Sequence, residues 1–469
     1  MPRAKREVSY YHPAIETLSR EELKNLQWRR LKAMLEWVYY HNDFYRRKFD
    51  SVRMKPDDIN TYDDFRKLPI ITKEDLLKDQ EDAPPYGARL GVDKKKLHRV
   101  YLTSGTSGKG QETWTVTRED REVGNLFIRM FYMGLDVRRG DLVADIFPIS
   151  TGTLASPDLQ VTALDLIGAN LMWLGINYGT EEKVRMLARF NANVVMGTQS
   201  RRLMQAAQDI GIEPRKDMPG LKTIPGDFLN PASNLEMEEF FDAWAFDFYG
   251  TSATRGAVGV TCEYGTALGE KRFGMIHLFE DACFYEVLDR ETKEPVNFGE
   301  EGELVETTLL FGSSPCIRFA TNDKVVLMPP TYCRCGRPFA GMLVGATSRY
   351  DDMIKVKGFN VWPAAVDQIV LNRQGMAEYV ATVFYDQSGR EDILLQVQFD
   401  EEVPGDKRKE MLGILGLEIR EKVGINVRLV EAQADLRSRV SDFKAKRWVD
   451  ERKKGSLAVE DIIWRGAVS

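Results

Sequence analysis

The run Thr103-Ser104-Gly105-Thr106-Ser107-Gly108-Lys109-Gly110 concentrates groups that bind phosphate. Its glycines let the backbone turn tightly and present N–H groups. Thr103, Ser104, Thr106 and Ser107 add hydroxyls, and Lys109 adds positive charge. The spacing Gly105-x-x-Gly108-Lys109 is shorter than the common G-x-x-x-x-G-K-[ST] nucleotide loop. On the residues alone, a polyphosphate cradle and a polar surface loop are equally open. A second group is Cys262, His277 and Cys333-x-Cys335. Three thiols and an imidazole suit tetrahedral zinc, and a closed set of this kind is structural. The spacing matches no standard finger, so reduced core cysteines are the other reading. Cys283 and Cys316 sit in apolar runs and read as core. Lys444, Lys446 and Arg447 form a basic run that on its own reads as a solvated helix face. The four histidines, His12, His41, His98 and His277, suggest no nucleophile–histidine arrangement.

These groups need elements to position them. Ser19-Arg20-Glu21-Glu22 predicts a capping box, followed by Leu23, Leu26, Met34, Leu35 and Val38 at helical spacing. Thr72 predicts a second helix start. Residues 99–102 read as a strand leading into the glycine-rich run. Helices are then expected at 118–132, 157–168 and 181–190, with strands at 141–147, 170–174 and 193–197. That alternation predicts a parallel sheet sandwiched by helices. A strand at 245–248 would place Tyr249-Gly250 at a carboxyl end, where ligands bind in such sheets. Beyond Arg349 the texture changes. Strands are expected at 379–385, 393–399 and 425–430, and a helix at 407–423. The expected fold is α/β: a large multi-layer N-terminal domain over 1–349 and a small mobile α+β C-terminal domain over 350–469.

Composition narrows the function. The chain has 469 residues, enough for two or three domains. Its net charge of −6 gives no reason to expect a nucleic-acid partner. No apolar run reaches the length of a membrane span. The basic start, Met1-Pro2-Arg3-Ala4-Lys5-Arg6, has no apolar segment behind it and does not read as a secretory signal. Five cysteines without framework spacing point to a reducing cytoplasm.

The glycine-rich run resembles the phosphate loop of the adenylate-forming superfamily of acyl-CoA synthetases, adenylation domains and luciferases. Four further motifs follow in that family's order: Phe248-Tyr249-Gly250-Thr251-Ser252, Arg318-Phe319-Ala320-Thr321-Asn322-Asp323, the run from Arg349 through Asp351 to Gly358, and Phe443-Lys444-Ala445-Lys446-Arg447. The opening segment, Leu68-Pro69-Ile70-Ile71-Thr72-Lys73 and Cys333-Arg334-Cys335-Gly336-Arg337 are similar to the phenylacetate-CoA ligase branch.

The resemblance implies ATP, Mg²⁺ and coenzyme A as cofactors and a small-molecule carboxylic acid, aromatic or related, as substrate. By resemblance Thr103 through Lys109 would hold phosphate, Tyr249 would stack on adenine, and Gly226 and Gly250 would lie against the nucleotide. Ser252 would reach the α-phosphate, Asp323 would accept the ribose hydroxyls, and Arg349 would contact ribose or phosphate. Without the family, Asp323 reads as a turn aspartate and Tyr249 as a core aromatic. Asp351 would be the hinge of the moving domain, and Lys444 the lysine of the first half-reaction. Phe147, Ile149, Thr151 and Gln199 would line the acyl pocket. Related sequences carry a similar Cys…His…Cys-x-Cys set, which favours structural Zn²⁺. An acyl carrier protein or an amine is an alternative acceptor, and a homodimer one expected assembly. The chain departs from the family at Ala320, at Asn322 and, most seriously, at Ala253, where a Glu usually helps hold Mg²⁺. Three readings of Ala253 stay open: another acid such as Glu112 or Glu263 substitutes, phosphates and water alone hold the metal, or the chain binds nucleotide without reacting.

Overall fold

The computed structural model describes residues 6–103, 111–123, 126–147, 157–175, 178–197, 200–226, 231–254, 256–269, 271–310, 312–350, 353–357, 359–437, 447–452 and 456–465. The chain divides into two compact units, Met1–Thr347 and Ser348–Ser469.

In the first unit, β1 (Leu97–Leu102) and β2 (Thr113–Thr117) form an antiparallel hairpin, with Leu102 opposite Thr113. The glycine-rich run therefore joins two hairpin strands. A parallel sheet follows, built from β3 (Leu142–Asp145), β4 (Asn170–Trp173), β5 (Val194–Met196), β6 (Thr223–Pro225) and β7 (Trp244–Phe246), in the order β4-β3-β5-β6-β7. Its central strands are short apolar runs because helices cover both faces. Val143, Val194 and Met196 enter one apolar cluster, while Ala144, Val195 and Ile224 enter another. That alternation follows the two-residue period of a strand. The helices Pro157–Ile167, Thr180–Phe190, Ser200–Asp209 and Pro231–Phe241 connect the strands. The order reverses at β3, so β3 and β5 flank a switch point, where such sheets bind ligands.

The second sheet has β8 (Phe248–Thr251), β9 (Gly256–Thr261), β10 (Met275–Leu278), β11 (Cys283–Leu288), β12 (Glu301–Thr308), β13 (Phe319–Met328) and β14 (Gly341–Leu343). They run β11-β12-β13-β14-β10-β9-β8 with antiparallel neighbours. This corrects one expectation. Residues 245–248 are not a single strand, and Tyr249-Gly250 does not lie in a loop after one. β7 stops at Phe246, the backbone changes sheets at Asp247, and Tyr249 lies within β8. The exchange is fixed by Thr261: its N–H donates to the Asp247 carbonyl at 2.9 Å, and the Asp247 N–H donates to its hydroxyl at 3.0 Å.

The helix expected at 118–132 is also interrupted. It runs Arg118–Val123, resumes at Phe127–Arg129 and becomes a π-turn over Met130–Gly134, where the Leu135 N–H donates to the Met130 carbonyl. Leu126, in a turn, opens the second piece, and Gly124 and Asn125 lie outside the described residues. The two expected caps are present. Ser19 and Glu22 box the start of Arg20–His41, and Thr72 and Asp75 box the start of Lys73–Asp82.

The second unit pairs Met376–Tyr385 with Glu391–Phe399, flanked by parallel strands Arg428–Glu431 and Trp448–Asp450. The helices Pro363–Leu371 and Gly405–Val423 complete this small α+β unit. The expected strand at 425–430 begins only at Arg428. No helix among the described residues is long and apolar enough to cross a membrane.

Candidate functional site

The carboxyl ends of the parallel strands lead into the residues singled out in the sequence. Asp145 ends β3, and its carboxylate accepts the Phe147 N–H at 2.8 Å. Burial pushes this carboxyl up to about 7, against the stabilising Phe147 N–H. Gly197 follows β5, and Gly226 follows β6. The Gly226 N–H donates to the Phe246 carbonyl at 2.7 Å, tying the ends of β6 and β7. A side chain there would meet that carbonyl at 3.0 Å and Thr266 at 3.2 Å, so the backbone approach is tight and glycine fits it without displacing a neighbour.

Tyr249 and Asp323 meet directly. The buried tyrosine hydroxyl donates to the Asp323 carboxylate at 2.6 Å. Burial and the neighbouring carboxylate push the phenol well above its ordinary range. The Asp323 N–H in turn donates to Thr321 Oγ1 at 3.1 Å. Just before it, Asn322 has a φ of 64°. The family's glycine at this position meets a left-handed backbone requirement, and asparagine is the side-chain-bearing residue that tolerates it best. Arg318 is not a ligand-facing arginine. It is buried against Glu286, with bonds of 3.0 and 3.1 Å, and donates to the Leu68 carbonyl at 2.5 Å.

Beside this pair lies a residue the sequence reading missed. Glu306, on β12, accepts the Thr251 hydroxyl at 2.8 Å through Oε2. It is fully buried, and Oε1 has no hydrogen-bond partner among the described residues. Burial pushes its carboxyl up to about 8; the Thr251 hydroxyl opposes the shift and the Asp323 charge adds to it. The available signal was a carboxylate set directly after Leu304-Val305. Tyr249 and Thr251 lie on β8, at one end of the strand path, whereas Glu306 and Asp323 lie near the other. Their contacts require the sheet to curl until its ends face one another. Gly250 is exposed and Ser252 half-buried on the same stretch. Ala253 is buried in an apolar cluster that includes Trp114 and Phe319.

Thr103 anchors the glycine-rich run. Its N–H donates to the Glu112 carbonyl at 3.0 Å, and the Glu112 N–H donates to its hydroxyl at 2.9 Å. That hydroxyl also donates to the Glu112 carboxylate, which is ion-paired with Lys73 at 3.2 Å. Ser104, Gly105, Thr106, Ser107, Gly108 and Lys109 lie outside the described residues, as do Ile149, Thr151, Gln199, Asp351 and Lys444. Arg349 is exposed near the start of the second unit. The stretch carrying Lys444 is followed by a firm anchor, since Arg447 donates to both Glu378 oxygens at 2.6 and 3.1 Å.

The Cys/His set converges. His277 lies on β10, Cys262 directly follows the neighbouring β9, and Cys333 and Cys335 lie in the segment that leads into the other neighbour, β14. All four are buried, and their ligand atoms lie within 4.8 Å of one another. Cys262 and Cys333 Sγ are 3.4 Å apart, and Cys335 Sγ lies 3.5 Å from His277 Nε2. A tetrahedral zinc with thiolate and imidazole ligands has edges of about 3.4–3.8 Å, so the set fits the ion. The Cys262 and Cys333 thiols and charged His277 hold Cys335 far below the usual thiol range. Around the cluster, Arg337 donates to both Glu263 oxygens at 2.7 and 2.6 Å and to Glu16 at 3.1 Å. The Ser9 N–H also donates to Glu263. Glu263 is thereby committed to structure, which corrects its candidacy as a substitute for a carboxylate at 253. Glu112 is committed in the same way to Lys73 and Thr103.

Comparison with known proteins agrees with this arrangement. Residues 358–452 match the family model of the AMP-binding enzyme C-terminal domain. The chain is 29% identical to the phenylacetate-coenzyme A ligase of Aromatoleum evansii, over 94% of this chain and 97% of that protein. It is 28% identical to the phenylacetate-coenzyme A ligase of Thermus thermophilus, over 94% of this chain and 100% of that protein. In fold it is similar to a crystal structure of 2-hydroxyisobutyryl-CoA ligase in complex with 2-HIB-AMP. The TM-score is 0.82 at 22% identity, covering 100% of this chain and 97% of that one. Nearly the whole chain is thus similar to phenylacetate-coenzyme A ligases, and its C-terminal part matches the AMP-binding enzyme C-terminal domain.

Proposed function

We propose that this chain is an ATP-dependent acid–CoA ligase that activates an aromatic or related small carboxylic acid as its acyl-adenylate. The observation that carries the reading is the Tyr249–Asp323 pair, beside the carboxyl end of the parallel sheet, in a chain that aligns with phenylacetate-coenzyme A ligases over nearly its full length.

In this reading, Asp323 accepts the ribose hydroxyls, and the Tyr249 hydroxyl holds the carboxylate in place for them. The tyrosine ring offers a flat face for adenine. Gly226 admits the base closely, and Gly250 and Ser252 line the path towards the α-phosphate. Thr103, Ser104, Gly105, Thr106, Ser107, Gly108 and Lys109 cradle the phosphates, and Thr103 is held in register by Glu112. Mg²⁺, when bound, neutralises charge on the transferring nucleotide. The substrate carboxylate is already ionised, so no general base is needed for attack on the α-phosphate. That attack forms the acyl–phosphate bond and releases pyrophosphate. Lys444 stabilises the developing charge. The coenzyme A thiol then attacks the acyl carbon, forms the thioester and releases AMP. Arg349 contacts ribose or phosphate, and Asp351 is the hinge between half-reactions. Phe147, Ile149, Thr151 and Gln199, which follow β3 and β5, form the acyl pocket. Asp145 holds the Phe147 backbone and so shapes that pocket.

Cys262, His277, Cys333 and Cys335 would hold a structural Zn²⁺ that ties β9, β10 and β14 together. Thiolate ligation and five free cysteines fit a reducing compartment, the cytoplasm.

Pyrophosphate release from ATP and Mg²⁺, measured over a panel of aromatic and small organic acids with and without coenzyme A, tests the reading. Release that depends on one acid, with turnover requiring coenzyme A, is the expected result. Measurable ATP binding with no release from any acid would overturn it.

A further inference from the structure

A carboxylate at position 253 would sit two residues after Thr251, and alanine supplies none. The structure shows where a carboxylate is available instead. Of the acids near the nucleotide-binding stretch, Glu112 is ion-paired with Lys73, Asp323 accepts the Tyr249 hydroxyl, and the more distant Glu263 is held by Arg337 and Ser9. Glu306 differs from all of these. It is fully buried, contacts Thr251 through one oxygen and keeps the other without a partner among the described residues. An ionised carboxylate in such a place is costly unless a cation or donor reaches it. Thr251 hydroxyl contact fixes Glu306 at the Tyr249-Gly250-Thr251-Ser252 stretch, and Asp323 lies close enough for the two charges to interact. Mg²⁺ typically takes one or two protein carboxylates together with substrate phosphates.

We propose that Glu306 is the carboxylate through which this chain holds the divalent cation of its nucleotide, in place of a carboxylate at 253. This rests on the ligase reading above. The carboxylate comes from β12 rather than from β8 itself, because the curled sheet brings the two strands together. Its oxygen Oε1 would reach the ion or a water on it, while Oε2 keeps its bond from Thr251.

The test is calorimetric ATP binding by the full chain, in Mg²⁺ and again in EDTA. Wild type should bind ATP about tenfold or more tightly with Mg²⁺. Glu306→Gln preserves shape and the Thr251 bond. It should bind ATP in EDTA as wild type does, melt at the same temperature and lose the Mg²⁺ enhancement. An enhancement undiminished in Glu306→Gln overturns the proposal and leaves the ligase reading standing. A wild type that binds no ATP under either condition overturns both. If Glu306→Gln does not fold, Glu306→Asp replaces it: its shortened reach should weaken the Mg²⁺ enhancement severalfold, and an unchanged enhancement overturns the proposal.

Discussion

Two buried polar clusters lie on the same curled sheet, and they are built to opposite rules. Around Cys262, His277, Cys333 and Cys335, nearby charges are paired within the protein: Arg337 meets Glu263 and Glu16, and Arg20 meets Glu280. Around Tyr249 and Asp323 two carboxylates are drawn together, Glu306 keeps an unpartnered oxygen, and no arginine or lysine is paired with Glu306 among the described residues. The first cluster has the character of a structural joint. The second keeps a buried carboxyl oxygen open among the described residues, which suits a bound cation or polar ligand. The contrast teaches that the pairing of buried charges, more than their number, separates scaffold from binding site.

The comparison can be broken most forcefully at the joint. Cys335→Ala should abolish zinc binding, read as metal content of the purified chain, and cost several kcal/mol of stability, since structural metal binding is folding free energy. Retained zinc with an unchanged melting curve would contradict the structural role. Next, Arg337→Met should destabilise by about 3–5 kcal/mol in denaturant unfolding, because it leaves the Glu263 carboxylate buried and unpaired.

Asp145 sharpens the comparison through pH. Its folded pKa, about 7, lies above its unfolded value, so the native chain binds more protons between these limits. The stability that follows is fully present below about pH 4 and lost as pH rises through 7. Asp145→Asn keeps an acceptor for the Phe147 N–H and should gain on wild type by up to about 4 kcal/mol across that window. A constant difference between the two stability–pH curves would contradict burial as the cause.

On the binding side, Asp323→Asn should weaken ATP by about 1.5–3 kcal/mol, the range for hydrogen bonds to a charged group, with little change in melting. Thr251→Val, which removes the donor to Glu306 Oε2, should cost about 1 kcal/mol of stability.

Much of this was legible in the sequence where the signal was local. The caps at Ser19 and Thr72 reside in contiguous residues, and helix–strand alternation gave the parallel sheet. Non-local geometry was not legible. Nothing near Glu306 in the chain says that a curled sheet will set it against Thr251, more than fifty positions earlier. The exchange of sheets at Asp247 likewise depends on Thr261, from the next strand. The turn at Leu126, which interrupts the helix expected at 118–132, was masked by apolar periodicity through residues 126–131. Asn322 read as a departure from the family until its positive φ showed that asparagine meets the same backbone need.

The central claim is that the acid is activated by attack on the α-phosphate. Its most direct test uses an acid labelled with ¹⁸O in both carboxylate oxygens, incubated with ATP, Mg²⁺ and coenzyme A, followed by mass spectrometry of the nucleotide product. The account predicts AMP carrying one ¹⁸O, because the bridging oxygen of the acyl-adenylate leaves with the phosphate. Label in inorganic phosphate with formation of ADP, or thioester formed beside unlabelled AMP, would contradict it.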